Sequence, residues 1–389
     1  MSDVFDIIVV GAGLVGSSAA LALAKQGYQV VLIDRQSLEI DEKPESESLW
    51  DSRIYAISPG NISWLKELRV WGALDDRRIC PIDRMQIWGD RGAELTFDSS
   101  GTSAANLGEI IENKQLQQAI WKQLSSAGVT IISEVECIEM HIHDDGAIVQ
   151  LGQHQKIQAR LIVAADGGNS WVRNQAGIAS NLYEYEQSAV VANFEVEFHH
   201  GNIARQWFNA DGVLAWLPLP GKRISIVWST RNAHALLSRD LKSLAERIAD
   251  AGDNQLGGLS VITNPKVFPL VKRSAASLVN SRLVLIGDAA HQIHALAGQG
   301  VNLGFRDAIA LSHILKQKSK YQDIGDLALL RKYERARQTD ILGLTQLTHG
   351  LNILFESDHS AIQKLRNLGL QWLDNQAIWK KRLVQQAIS

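Results

Sequence analysis

The chain offers little for disulfide or metal chemistry. It has two cysteines, Cys80 and Cys137, far apart and without metal-ligand spacing. A secreted disulfide framework does not fit, and a reducing compartment is expected. No metal site is expected either. No apolar run approaches the ~18–20 residues of a helical membrane span. The N-terminus is apolar but lacks a basic start and a small-residue cleavage site, so it does not read as a signal peptide. Charge of one sign is also missing. Lys and Arg number 39 against 42 Asp and Glu, a net charge of −3, so nothing global draws the protein to nucleic acid. Repeats and low-complexity segments are absent. The expectation is a cytoplasmic protein, with contact at the inner face of the cell membrane left open. Its 389 residues suggest two domains.

What the chain does have is glycine at strand ends. Asp6–Val10 is a continuous apolar run ending at Gly11, as expected of a strand buried on both faces of a parallel sheet. Leu14–Lys25 is rich in Ala and Leu and closes at Gly27, which predicts a helix. Tyr28–Asp34 is a second apolar run and completes a βαβ unit. Ala159–Ala165 and Arg282–Gly287 read as two more buried strands. Between them, Ala189–Phe198, Gly212–Leu217 and Arg223–Ser229 alternate like antiparallel strands. Glu39–Ser48 reads as an acidic surface loop, and from about Lys332 the pattern is helical to the end.

Three motifs sit on this frame. Gly11-Ala12-Gly13-Leu14-Val15-Gly16 links the first strand to the first helix. In such a loop one glycine turns the chain, one admits a pyrophosphate, and one lets helix and strand pack. The helix start offers free N–H groups to phosphate, and Asp34 ends the next strand, placed to bind a ribose hydroxyl. This motif alone leaves NAD and FAD open. The second is Asp166-Gly167-Gly168, with Arg173 adding a positive charge. The third is residues 287–304, "GDAAHQIHALAGQGVNLG", which has many glycines and no conspicuous nucleophile. Asp288 would lie at a strand's carboxyl end, where open α/β folds bind ligands. Gly298-Gln299-Gly300-Val301-Asn302 would open a helix whose N-terminus suits the negative charge of a reduced flavin. The reactive group is then a cofactor rather than a side chain. His291 and His294 are acid–base candidates, though a histidine beside a helix is more often structural.

Together the motifs resemble the group A flavin monooxygenases of the p-hydroxybenzoate hydroxylase fold. The chain is most similar to the ubiquinone-biosynthesis hydroxylase family (UbiH/UbiF/VisC type). The carrying segments are "DSRIYAIS" (51–58), "LRVWGAL" (68–74), "LGEIIENKQLQQAI" (107–120), "GVLAWLPLP" (212–220), "ISIVWS" (224–229) and "HALAGQGVNLGFRDA" (294–308), within a similarity covering Asp6 to Arg337. The resemblance implies an α/β fold. Its parts are a Rossmann-like FAD-binding domain of glutathione-reductase type, an inserted antiparallel-sheet substrate domain and a helical C-terminal tail. The implied boundaries give the FAD domain 1–75, 106–180 and 271–340, the substrate domain 76–105 and 181–270, and the tail 341–389. Non-covalent FAD is implied, its ADP half held by Gly11, Gly13, Leu14, Val15, Gly16 and Asp34. Arg53 and Asn113 would lie near the cofactor, and Asp166 and Arg173 would serve FAD and the pyridine nucleotide. Gly287 and Asp288 would meet the ribityl chain or pyrophosphate; Gly298, Gly300, Val301 and Asn302 would meet the ring. His294 and Gln299 are the side chains nearest a catalytic role. The chain departs from the family at Asp34, where Glu is frequent, at Arg69, where relatives often carry Gly, and at Ala295, where Pro is usual.

The implied reaction is ring hydroxylation of a polyprenylated phenol through a flavin C4a-hydroperoxide, using NADH or NADPH and O₂. No second GxGxxG follows a strand, which favours transient docking of the reductant on the FAD domain. The apolar segment Val213–Leu219 suits a greasy aromatic, and a core strand explains it equally. Rival readings are an aromatic hydroxylase of another pathway, or a non-catalytic flavoprotein subunit of a quinone-synthesis complex. A flavin halogenase lacks support because Trp-x-Trp-x-Ile-Pro is absent, and a plain NAD-dependent dehydrogenase would not need the late Gly-Asp loop. In the tail, Leu347, Leu351 and Leu354 recur at helical spacing, followed by Leu365, Leu368, Trp372 and Leu373 and by basic Lys380, Lys381 and Arg382. Such a tail either caps the FAD domain or docks on a membrane or partner.

Overall fold

The computed structural model describes residues 4–40, 50–100, 102–209, 211–294, 298–356 and 359–388. Its first layer is a parallel sheet. Val4–Val10 pairs in parallel with Val30–Ile33 on one side and with Lys156–Ala164 on the other. Thr130–Ile132 extends one edge and Leu283–Leu285 the other. These strands are runs of Val, Ile and Leu because both faces are covered: Ile7, Ile8, Val31, Leu32, Leu161 and Val284 have no exposed surface. A hairpin, Cys137–Ile142 with Ala147–Leu151, joins antiparallel to Lys156–Ala164.

The topology matters for what lies beyond the strand ends. Four parallel strands end at Val10, Ile33, Ala164 and Leu285. The next residues include Gly11, Asp34, Asp166, Gly287 and Asp288. Stretches nearly 300 residues apart therefore open on one edge of one sheet, the ligand-binding edge of open α/β folds.

The second layer is a nine-stranded, mostly antiparallel sheet. Its long central strand, Ser180–Val196, pairs with Lys266–Ala275 and Arg223–Thr230. Gly212–Leu219 and Ile203–Asn209 follow, and Arg84–Trp88 with Glu94–Asp98 close the far edge. The sheet has its own core, built around Trp207, Trp216 and Trp228 and covered by the helix Leu241–Ala251. Leu214, Trp216 and Leu219 are fully buried, so packing accounts for the apolar 213–219 segment. A three-stranded antiparallel sheet, Ile54–Ile57, Gly108–Glu112 and Cys80–Ile82, carries Arg53 and Asn113 at its ends. Short strands of this kind leave little periodicity to read in the sequence.

The helices Leu327–Glu356, Ser360–Asp374 and Ala377–Ile388 make up the helical end of the chain. No described helix is long and apolar enough to cross a membrane. Arg69, where relatives often carry Gly, ends the helix Pro59–Glu67 at φ 61°, a left-handed conformation that disfavours a side chain. Ala295 lies outside the described residues. Cys80 and Cys137 are free thiols, and burial pushes both up to about 12, which leaves neither a reactive thiolate.

Candidate cofactor site

The three glycines of the first loop have different surroundings. A Cβ at Gly11 would lie 2.3 Å from the Ala165 carbonyl oxygen, and one at Gly16 would lie 2.0 Å from the Gly11 oxygen. Both are required for close packing. A Cβ at Gly13 would meet nothing within 4 Å. Gly13 also caps the helix Leu14–Ala24, which has no side-chain cap and no acidic residue in its first turn. The helix start thus presents unpaired N–H groups to open space, an arrangement that suits a phosphate. Asp34 accepts from the Ala12 N–H at 2.5 Å and the Gln36 N–H at 2.7 Å, which fixes its carboxylate beside the loop. Trp121 and Ser17 both donate to the Ala12 carbonyl oxygen and pin the loop from behind.

The late loop is held against this one by Val15, which fits between Gly287 and Gly304. A Cβ at Gly304 would come 2.5 Å from a Val15 methyl, and Gly287 has φ +58°. Beneath the loop lies a buried ionic network. Asp307 Oδ2 accepts from Gly287 N–H at 2.9 Å and faces His291 Nε2 at 2.6 Å, while Oδ1 accepts from Arg337 Nε at 2.7 Å. Burial alone would push the Asp307 carboxyl up; the opposing pull of His291 and Arg337 wins and holds it below the usual carboxylate range. His291 is therefore engaged in this network.

Asp288, by contrast, is accessible to solvent yet closely ringed by protein. Desolvation pushes its carboxyl up, with His291 and Arg53 pulling the other way. Arg53 lies over the Tyr55 ring at 5.6 Å, and its carbonyl accepts from the Asn113 N–H at 2.9 Å. Arg53, Asn113 and Asp288 therefore belong to one neighbourhood. The helix Gly300–Gln317 starts beside them with no side-chain cap, so the N–H groups of Gly300, Val301 and Asn302 have no helical partner. Built Cβ atoms at Gly298 and Gly300 meet nothing within 4 Å.

Two expectations change in detail. The Asn302 side chain is fully occupied: Oδ1 accepts from Ser58 N–H and Asn61 Nδ2, and Nδ2 donates to the Ala56 carbonyl oxygen. It fastens the helix start to the 54–67 segment, leaving its backbone N–H for a ligand. Arg173, expected to serve FAD and the pyridine nucleotide, is turned inward with 1% of its surface exposed. Its guanidinium donates to the Ala289 and Gly168 carbonyl oxygens, each at 2.9 Å, and ties the Asp166 turn to the 287–290 turn. Asp166 accepts from the Val172 N–H through one oxygen. The other, Oδ1, is buried without a partner among the described residues. An orphaned acceptor at a strand end and the open space over Gly13, Gly298 and Gly300 fit a dinucleotide whose hydroxyls and phosphates complete these bonds.

His294 sits apart from Asp288, in a polar aromatic cluster. It is buried, meets the Tyr185 ring edge-on at 4.6 Å, and faces Gln187 Oε1 at 3.3 Å. Tyr185 Oη in turn lies 2.9 Å from His349 Nδ1. Burial, with His349 nearby, lowers His294 to about 4 from an ordinary 6.5. Above about 6.5 the residue is neutral whether the chain is folded or not. Below that only the unfolded chain takes up the proton, so folding stability is lost as pH falls, fully so beneath about 4. The loss should reach roughly 3 kcal/mol. His294→Gln should remove that component, bringing the variant's melting temperature toward or past the native one at acid pH. Parallel melting curves for the two proteins would show that the folded site takes up the proton freely. Gln299 is the other side chain near the helix start, its Oε1 3.5 Å from Arg306 Nη2.

Asp307, Arg337, Tyr185 and His349 were not singled out by sequence reasoning. For Asp307 a signal existed: it interrupts the buried stripe Leu303, Leu311 and Leu315 at the same four-residue spacing. A carboxylate in such a stripe demands a buried partner.

Known proteins resemble this chain over nearly its full length. The FAD binding domain family matches residues 4–347. The chain is 34% identical to 3-demethoxyubiquinol 3-hydroxylase of Escherichia coli (strain K12), over 98% of each protein. It is 32% identical to the mitochondrial ubiquinone biosynthesis monooxygenase COQ6 of Homo sapiens, over 95% of this chain and 89% of that one. Among solved structures, p-nitrophenol 4-monooxygenase PnpA from Pseudomonas putida DLL-E4 matches with a TM-score of 0.78, covering 100% of this chain and 99% of that one, at 18% identity, which speaks for the fold alone.

Proposed function

Because the chain belongs to the FAD-binding family of ubiquinone-biosynthesis hydroxylases, we propose that it hydroxylates the ring of a polyprenylated phenol or quinol in that pathway, with NADH or NADPH and O₂ as co-substrates. The observation that carries the reading is the open cradle over Gly13 and Gly300 in a chain 34% identical to such a hydroxylase. Bound FAD supplies the electron transfer and the activation of O₂.

The residues of this chain do the rest. The N–H groups at Leu14 and Val15 receive the pyrophosphate, and Gly13 leaves it room. Asp34 accepts from ribose hydroxyls beside its two backbone bonds. Asp166 Oδ1 and Asp288 accept from further cofactor hydroxyls, and Arg53 and Asn113 border the same space. The uncapped start of the Gly300–Gln317 helix carries a positive dipole end that would stabilise negative charge on a flavin ring held beside it. Neutral His294 stands beside Tyr185 Oη and His349 Nδ1, a pair 2.9 Å apart that can hold a proton drawn from a phenol hydroxyl. The nine-stranded sheet, with residues 76–105 and 181–270, forms the substrate side. A polyprenyl chain is lipid-soluble, so the same reading includes contact with a membrane or with partner proteins of a quinone-synthesis complex.

FAD-loaded protein should consume NADH or NADPH faster when a short-chain demethoxyubiquinol is added. The product should carry heavy oxygen supplied as labelled O₂ rather than as labelled water. Reductant consumption with no hydroxylated product, whatever the phenol, defeats the proposal.

A further inference from the structure

The helix Ser360–Asp374 turns two of its polar residues toward the protein. Arg366 and Asn367 are each 6% exposed and bind the Asp90 carboxylate at the turn between Arg84–Trp88 and Glu94–Asp98. Arg366 also donates to the Leu354 and Phe355 carbonyl oxygens, and Asp374 accepts from the Thr96 N–H. Ile362, Leu370 and Leu373 are half-buried, but three other large apolar residues face outward. Leu365, Leu368 and Trp372 are 67%, 61% and 56% exposed, at a spacing that puts them on one stripe. The adjoining helix Ala377–Ile388 adds Ile378 at 72% and Trp379 at 49%. Burial of apolar surface drives helix packing, so a helix that buries Arg and Asn while exposing Leu and Trp has its apolar stripe available for something else.

Charge says what. Residues 359–388 hold five basic side chains, Lys364, Arg366, Lys380, Lys381 and Arg382, against a single acidic one, Asp374, in a chain whose net charge is −3. Arg366 and Lys380 are paired with Asp90 and Asp374. Lys364, Lys381 and Arg382 are exposed, and Arg382 lies over the Trp379 ring at 5.4 Å. Two tryptophans, an aliphatic stripe and flanking cations are the composition of a helix lying in a lipid headgroup layer. We infer that the 360–388 helix pair docks the protein on an anionic bilayer. The inference rests on the proposed lipid-soluble substrate only for the reason a membrane is visited; the surface itself is read from these side chains.

The test uses FAD-loaded full-length protein and no substrate, so its failure leaves the hydroxylation proposal standing. The protein should float with vesicles containing phosphatidylglycerol and bind neutral phosphatidylcholine vesicles more weakly. The triple substitution Leu365→Gln, Leu368→Gln, Trp372→Gln should lower vesicle affinity about tenfold or more, as should Lys364→Glu, Lys381→Glu, Arg382→Glu. FAD content and turnover of a water-soluble phenol should stay unchanged, because the buried Arg366 and Asn367 anchors are untouched. Equal flotation of native and variant proteins overturns the inference, as does native protein that ignores anionic vesicles. A native dimer that the Leu/Trp substitutions convert to monomer, without vesicle binding, overturns it too and makes the face an interface between copies.

Discussion

Asp307→Ala should destabilise the fold by about 3–5 kcal/mol and release FAD. The carboxylate has no exposed surface and serves Gly287, His291 and Arg337 at once. Its loss strands an Arg337 guanidinium that is 6% exposed, with Asp340 at 2.8 Å as its remaining carboxylate. Leaving a buried charge without its main partner is far costlier than losing the pair together. It also frees the Gly287 N–H, so the turn that presents Asp288 loses its floor. Urea unfolding gives the first quantity and flavin retained on gel filtration the second. Asp307→Asn keeps the shape but not the charge and should fall between. A loss below about 1 kcal/mol with full flavin content would show that the network is incidental.

Gly13→Leu should do the opposite: leave the fold intact and abolish FAD binding. Gly13 has φ −66°, which any residue adopts, and its Cβ direction is open. The side chain would fill the space before the helix start, where a phosphate must approach the backbone. We expect unchanged melting of the cofactor-free protein and FAD affinity reduced at least ~100-fold, about 2.7 kcal/mol. Gly11→Ala is the contrasting control, since its Cβ would run into the Ala165 carbonyl at φ +105° and spoil folding itself. Normal FAD binding by Gly13→Leu would place the pyrophosphate elsewhere.

These two positions mark how far the sequence could be read. The cradle was legible because its signals are local: an apolar run, glycines at a strand end, an acidic residue ending the next strand. Val4–Val10, Val30–Ile33 and the Leu14–Ala24 helix follow from such patterns. Asp307 and Asn302 were harder because their roles depend on partners distant in the chain. Asn302 bonds Ala56 and Ser58 nearly 250 residues upstream, and no spacing announces that. Arg173 looked like a ligand cation because a short sequence shows the charge but not the two carbonyls that enclose it. The helix Ser360–Asp374 shows the same limit from the other side. Its periodicity predicts an apolar face, and only the three-dimensional structure shows that face turned outward.

The interleaving of the parallel sheet also sets a timetable for the chain as it is made. Val4–Val10 leaves the ribosome early and soon meets one partner, Val30–Ile33, but its other partner strand is Lys156–Ala164, and the edge strand Leu283–Leu285 comes later still. At ~5–20 residues per second, roughly 15–60 s separate the first Gly loop from the last one. Until Lys156–Ala164 emerges, the nascent protein carries a very apolar strand paired on one edge only, and until residue 287 it has only part of a nucleotide cradle. The full cradle that would hold FAD is therefore assembled only in a nearly finished molecule.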